Sequence, residues 1–520
     1  MLVGVLAMAS VFGALTPTAA SAAAEKPGPV VTVDQGRLQG VERRGVHQFL
    51  GIPYAAPPVG PLRWKPPRAA RGWQGTKQAT EVGPACPQPA GGFPSSPTRK
   101  AEDCLSLNVY RPAVRSSKPL PVMVWVHGGS YVYGAGGAYD PSRMTAKGVV
   151  VVTVNYRLGA LGYLGLPSLA AESTDHASGD YGLMDQQAAL RWVRKNAAAF
   201  GGDRGNVTLF GESAGGGSVC QHMVSPPAAG LFQRVIPQSG CDSQVPDQHQ
   251  ADRTGTTFAT RLGCTDAATA ADCLREKPVR DIVRKAGDLP WSPVVGRTVL
   301  PRQVRDAFAA DRYHHVPALI GTTRDEGNYF AADDHPGSLP AAQYPKAVTE
   351  HFGPEAAARI ADEYPASAYS SPLRALGAAM TDGLFACVTH EAAGMLASAS
   401  PTYAYEFADP APGGYDPSIP GAGHGSELPY LFDFEETKGR PFTPAQRALA
   451  DTMVGYWTRF AKTGKPNGHG APSWPAFTSR KPSVLSLAPK RIAPKTDFAA
   501  RHRCSFWMPL ISTGMIDWKL

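Results

Sequence analysis

The chain has 520 residues, 43% of them apolar, with 55 glycines, 49 prolines and a formal net charge of +8. That is ample material for a large buried core, and the Gly and Pro content stays below the range of low-complexity chains. The basic residues are scattered, with no run of five or six. This argues against nucleic-acid binding and leaves the charge as a solubility feature.

Residues 1–24 are rich in Leu, Val and Ala and run into Ala20-Ser21-Ala22, a small-residue cleavage pattern. The segment reads as a secretory signal peptide removed near Ala22, although no Lys or Arg precedes its apolar core. It is short and interrupted by Pro17, and no later run of 18 apolar residues exists. A secreted protein without stable membrane insertion is therefore expected. Residues 25–520 carry motifs throughout and no long polar linker. They read as one large α/β domain with insertions, not the several that length alone suggests. Residues 87–99, rich in Pro, Gly and Ser, read as a surface loop.

The apolar run Val122–Val126 predicts a strand, and His127-Gly128-Gly129-Ser130 follows it. Small residues there leave backbone N–H groups open to a substrate oxygen. A second run, Val207–Phe210, leads into Gly211-Glu212-Ser213-Ala214-Gly215 and then a small-residue segment able to continue as a helix. This is the G-x-S-x-G pattern of a nucleophile elbow, in which glycines relieve crowding around a serine on a sharp turn. The turn presents the Ser213 hydroxyl to a base and the Ala214 N–H to an oxyanion.

A nucleophilic serine needs a base, and the base needs an orienting acid; on such a scaffold the chain order is Ser, acid, His. Downstream, Pro317–Gly321 reads as a strand ending in Thr322-Thr323-Arg324-Asp325-Glu326-Gly327, with two adjacent carboxylates of which one can face a histidine. Six histidines follow: His335, His351, His390, His424, His469 and His502. His424 sits in a Gly-rich loop, Gly421 to Leu428, which suits a side chain reaching across a site. Spacing does not choose among the six. No zinc or P-loop spacing is present, so neither metal nor organic cofactor is expected.

The order of further motifs resembles the type-B carboxylesterase family, which includes cholinesterases and mammalian and microbial esterases. These motifs are Phe49-Leu50-Gly51-Ile52-Pro53-Tyr54-Ala55, Glu102-Asp103-Cys104-Leu105, Asn155-Tyr156-Arg157, Gly182-Leu183-Met184-Asp185-Gln186, Phe200-Gly201-Gly202-Asp203, Gln238-Ser239-Gly240 and Phe460-Ala461-Lys462-Thr463-Gly464. The resemblance runs from Val30 to Trp507. It implies an α/β-hydrolase fold: a central, mostly parallel sheet flanked by helices, with loop and helix insertions forming a gorge. It puts the nucleophile at Ser213, the acid at Glu326 and not Asp325, and the base at His424. It implies an oxyanion hole from the N–H groups of Gly129, Ser130 and Ala214, and places Glu212, Ser239 and Glu427 around the histidine. Tyr131, Trp291, Tyr329 and Phe330 are its expected pocket residues.

The same resemblance implies disulfides pairing Cys86 with Cys104, Cys264 with Cys273 and Cys387 with Cys504. Cys220 and Cys241 are left over and are expected as buried thiols in preference to a fourth bridge. Cholinesterases hold a quaternary ammonium on a tryptophan inside the first of these loops; here it contains only Phe93. The expectation is a secreted, monomeric serine carboxylesterase acting on small-molecule esters of short-to-medium acyl groups and uncharged alcohols. A lipase for long chains, or an amide, carbamate or toxin-ester hydrolase, would use the same triad. A purely binding ectodomain, as in relatives that have lost the serine, does not suit a chain that keeps it.

Overall fold

Successive side chains of a strand point to opposite faces, so a strand covered on both sides must be apolar throughout. Leu120–Val126 meets this condition: Val122, Val124 and Val126 pack into one core, and Met123 and Trp125 into the other. Val150–Val154 is buried along its whole length in the same way. These two runs are central strands of the computed structural model, which describes residues 26–91, 99–241, 244–434 and 441–516. The expected signal peptide and Phe93 lie outside the described residues.

In chain order the strands are β1 (Lys26–Val33), β2 (Gly36–Arg43), β3 (Val46–Pro53), β4 (Thr76–Gln78), β5 (Ser106–Pro112), β6 (Leu120–Val126) and β7 (Val150–Val154), followed by β8 (Gly202–Glu212), β9 (Arg234–Gln238), β10 (Ala318–Thr323), β11 (Thr402–Phe407), β12 (Val484–Leu487) and β13 (Ala493–Lys495). They join one sheet in the order β1-β2-β3-β5-β7-β6-β8-β9-β10-β11-β12-β13, with β4 beside β2. From β7 across to β12 every neighbour is parallel; β1, β2, β3 and β5 form an antiparallel flank. With helices covering the parallel strands, this is the α/β-hydrolase arrangement that the sequence led us to expect.

The chain leaves β6 for β7 on one side and returns at β8 on the other. The order therefore reverses at β6, and the crevice at such a reversal, beyond the carboxyl ends of the strands, is where α/β sheets bind ligands. The His127 loop leaves β6 there and the Ser213 turn leaves β8 there.

The structure contains the three expected disulfides and a fourth, between Cys220 and Cys241. The expectation of two free thiols is thus corrected. Cys220 lies on the helix Ala214–Val224 and Cys241 just beyond β9; because β8 and β9 are neighbours, the connecting helix folds back over the end of β9. The two Cα atoms come within 5.4 Å, inside the reach of a disulfide. Sequence spacing carries no trace of that return.

Candidate active site

The Ser213 turn is built by exclusion. Ser213 has φ of 56°, in the left-handed region that L-residues avoid. A Cβ at Gly215 would lie 2.1 Å from the Val126 carbonyl oxygen, and one at Gly211 would meet Gly215 at 2.6 Å. Any side chain at either position would push the turn off the end of β6. Ser213 N–H donates to the Gln238 carbonyl at 2.9 Å, tying the turn to β9. Ser213 is partly exposed, whereas all eleven residues of the following helix are buried.

The loop after β6 lies against this turn. A Cβ at Gly128 would meet Ser213 Cβ and Glu212 Oε2, each at 2.9 Å. Gly129, Ser130 and Tyr131 follow with φ of 104°, 52° and 58°, three left-handed residues in succession. His127, buried and held down to a pKa of about 4 by that burial, is neutral and stacks on Tyr156. Its Nδ1–H donates to the Gly128 carbonyl at 2.8 Å. A planar trans peptide aims its N–H opposite its carbonyl, so this bond fixes the direction of the Gly129 N–H.

Glu326 is fully buried one turn beyond β10. Its Oε1 accepts from Thr322 Oγ1 at 2.6 Å and from Thr323 N–H at 2.7 Å, and its Oε2 lies 2.6 Å from His424 Nδ1. Ser239, with φ of 50°, stands beside it but with its hydroxyl outside hydrogen-bond geometry. Asp325 turns away: its Oδ2 accepts from Arg324 and from Ala422 N–H. The histidine loop is laced to this pair, since Asp325 N–H donates to the Ala422 carbonyl and Tyr415 OH donates to the His424 carbonyl.

His424 Nε2 has no hydrogen-bond partner among the described residues and lies 3.2 Å from Glu212 Oε1. Glu427 is also buried, its Oε1 accepting from Gln238 Nε2. Three carboxylates thus surround one imidazole out of water. Burial pushes Glu212 up to about 7 and Glu427 up to about 8, with neighbouring carboxylates adding to both. Burial works to lower His424, but Glu212 and Glu326 outweigh it and raise the imidazole to about 9. Glu326 is held below the usual carboxylate range: burial opposes ionisation, but His424 overcomes it.

Tyr329 and Phe330 follow Glu326, with ring centres 6.1 and 4.9 Å from that of His424. Phe385, which sequence reasoning missed, stacks on Phe330 and lies 5.1 Å from the imidazole. It belongs to a π-helical turn, Thr381–Ala386, a local irregularity that often marks functional sites and leaves no periodic signal in sequence. Thr322 was also missed, although its place four residues before Glu326 on a turn could have revealed it. Tyr131 packs under the elbow helix, its OH 3.3 Å from Gln221 Oε1. Trp291 packs edge-on to Phe258 and lines a small cleft with Val132, Leu161 and Ile282, a cleft to which Ser213, Glu326 and His424 do not contribute. Among the described residues no group of three His, Cys, Asp or Glu converges to hold a metal ion.

Residues 27–507 match the model of the carboxylesterase family. The chain belongs to that family. It is 38% identical over 481 residues to the para-nitrobenzyl esterase of Bacillus subtilis (strain 168), covering 88% of this chain and 94% of the relative. It is 34% identical to the human cocaine esterase, over 92% and 91% of the two chains. A solved thermophilic PNB esterase superposes with a TM-score of 0.80 at 36% identity, covering 92% of this chain and 99% of that one. The protein is accordingly a carboxylic ester hydrolase, and the buried acid–imidazole pair beside the Ser213 turn is its candidate active site.

Proposed function

We propose that Ser213 is the covalent nucleophile of a secreted carboxylesterase acting on esters of short-to-medium acyl groups and uncharged alcohols. Neutral His424 takes the hydroxyl proton at Nε2 as the oxygen attacks the ester carbonyl. Glu326 holds the imidazole by Nδ1 and stabilises the imidazolium, and Glu212, at 3.2 Å, favours the same charge. The N–H groups of Gly129, Ser130 and Ala214 receive the oxyanion. The alcohol departs with the proton from His424, and water, activated by the same imidazole, releases the acid.

One observation carries this reading: a fully buried glutamate bonded to Nδ1 of an imidazole whose Nε2 makes no hydrogen bond among the described residues, near a serine held at φ of 56°. The experiment is Ser213→Ala, which is expected to lower kcat at least ~10³-fold while the far-UV circular dichroism stays unchanged. An active variant would overturn the assignment.

The acyl preference is assigned to Trp291, whose bulk takes space from the apolar region that holds Tyr131 and Ala214. Export is supported by four disulfides, which persist in oxidising compartments, and no described helix is long and apolar enough to cross a membrane.

A further inference from the structure

We infer that the Cys220–Cys241 bridge is a positioning device for the nucleophile turn, fixing the helix behind Ser213 to the segment on which that turn rests. The inference rests on reading Ser213 as the nucleophile.

The segment is Gln238 to Cys241, where the chain leaves β9. It touches both halves of the site. Gln238 accepts the Ser213 N–H on its carbonyl, and its side chain donates to Glu427 and accepts from Trp457. Ser239 N–H donates to the Gly321 carbonyl on β10, and Ser239 stands beside Glu326. The segment therefore spans the space between the serine and the acid that orients His424.

The fit of the elbow helix on this segment depends on absent side chains. A Cβ at Gly240 would lie 2.2 Å from the Ser213 carbonyl oxygen, and one at Gly216 would lie 2.4 Å from the Gln238 carbonyl oxygen. A Cβ at Gly217 would be 3.2 Å from the Gly240 carbonyl oxygen. At Gly240 and Gly216 backbone rests on backbone, and at Gly217 the Tyr131 hydroxyl comes closer still, 2.8 Å from where a Cβ would lie. Glycine also makes the segment and the first helical turn conformationally free. The covalent tie sits where that freedom would matter: Cys220 is on the second turn of the helix, Cys241 immediately follows Gly240, and both are buried. A shift of the order of 1 Å in a reacting group is enough to cost about 10²-fold in rate.

A bridge that only stabilised the fold would not alter the chemistry of folded enzyme, and this separates the two roles. The test compares Cys220→Ala/Cys241→Ala with Cys264→Ala/Cys273→Ala, which opens the bridge between the loop after the helix Gln248–Arg261 and the helix Ala270–Arg275, at a temperature where circular dichroism shows both folded. A fluorophosphonate probe is used, with the adduct located by peptide mass mapping. In the first variant the label should still reach Ser213, at least ~10-fold more slowly, and kcat for p-nitrophenyl acetate should fall in parallel with KM within about twofold. In the second variant both rates should stay within about twofold of wild type. Should the first variant not fold, Cys220→Val/Cys241→Ala refills the buried volume and is judged by the same rates. Labelling of Ser213 at the wild-type rate, with only thermal stability lowered, would overturn the inference. Labelling at another residue would instead overturn the reading of Ser213.

Discussion

Glu326 Oε2 and His424 Nδ1 lie 2.6 Å apart, although 98 residues separate them in the chain. The contact holds because Glu326 is gripped from behind by Thr322 and Thr323, while the adjacent Asp325 is occupied by Arg324 and Ala422. Two neighbouring carboxylates thus have separate tasks. Glu326→Gln should lower kcat by ~10³-fold or more, since the amide neither stabilises the imidazolium nor enforces its tautomer. Asp325→Asn should cost less than about tenfold, because its contacts are with the loop backbone and Arg324. Steady-state kinetics on the two variants checks this, and the reverse ranking would refute the placement of the acid.

The proton-accepting form of His424 is the neutral one, and the surrounding carboxylates raise its pKa to about 9. The kcat/KM of free enzyme should therefore rise with pH, with a midpoint above the ordinary imidazole value of about 6.5. Glu212→Gln removes a negative charge 3.2 Å from Nε2 and should move that midpoint down. A wild-type midpoint at or below about 6.5, or an upward shift in the variant, would contradict this account of the site's field.

A second imidazole is held by two acids away from the site. His502 Nδ1 lies 2.5 Å from Asp382 and Nε2 lies 2.8 Å from Glu406, with Tyr364 OH donating to Asp382 and Arg501 pairing with Glu406. Burial opposes its charge, but Asp382 and Glu406 raise it to about 9. A raised folded-state pKa gives stability that is fully present below the unfolded value and is lost as pH rises through the folded one. The difference in thermal stability between wild type and His502→Gln should be clear at about pH 6 and close as pH rises to about 9. Melting curves across that range test it, and a gap that widens with pH would contradict the assignment of a charged His502.

Much of this was legible in sequence, and for identifiable reasons. The strand before Ser213 and the glycines around it follow from local sterics, which is why the pattern reads without a structure. The run Val122–Val126 declares a strand for the same kind of reason. The choice of Glu326 over Asp325, and of His424 among six histidines, came only from family resemblance, because both depend on how distant loops fold together. Phe385 escaped for that reason, its ring reaching His424 from a π-helical turn. The Cys220–Cys241 bridge escaped because pairing is set by the return of a helix over β9 and not by spacing.

Trp291 supplies the specificity prediction. Its ring packs on Phe258 in the same apolar cluster as Tyr131 and Ala214. Along a series of acetyl, butyryl, octanoyl and palmitoyl p-nitrophenyl esters, kcat/KM should peak at a short or medium chain. Trp291→Ala should move the peak to longer chains, with each added methylene discriminated by about 1–3 kcal/mol at most. A wild-type maximum at palmitoyl would place the acyl group elsewhere.

The central claim is that the hydroxyl of Ser213 forms the covalent intermediate, and its most direct test is the site of modification. Intact enzyme is treated with one equivalent of a fluorophosphonate at pH 8, digested and mapped by mass spectrometry. The account predicts a single adduct, on Ser213, with loss of esterase activity in proportion to its yield and no adduct in Ser213→Ala. An adduct on another residue, or full inhibition of wild type while Ser213 stays unmodified, would contradict it.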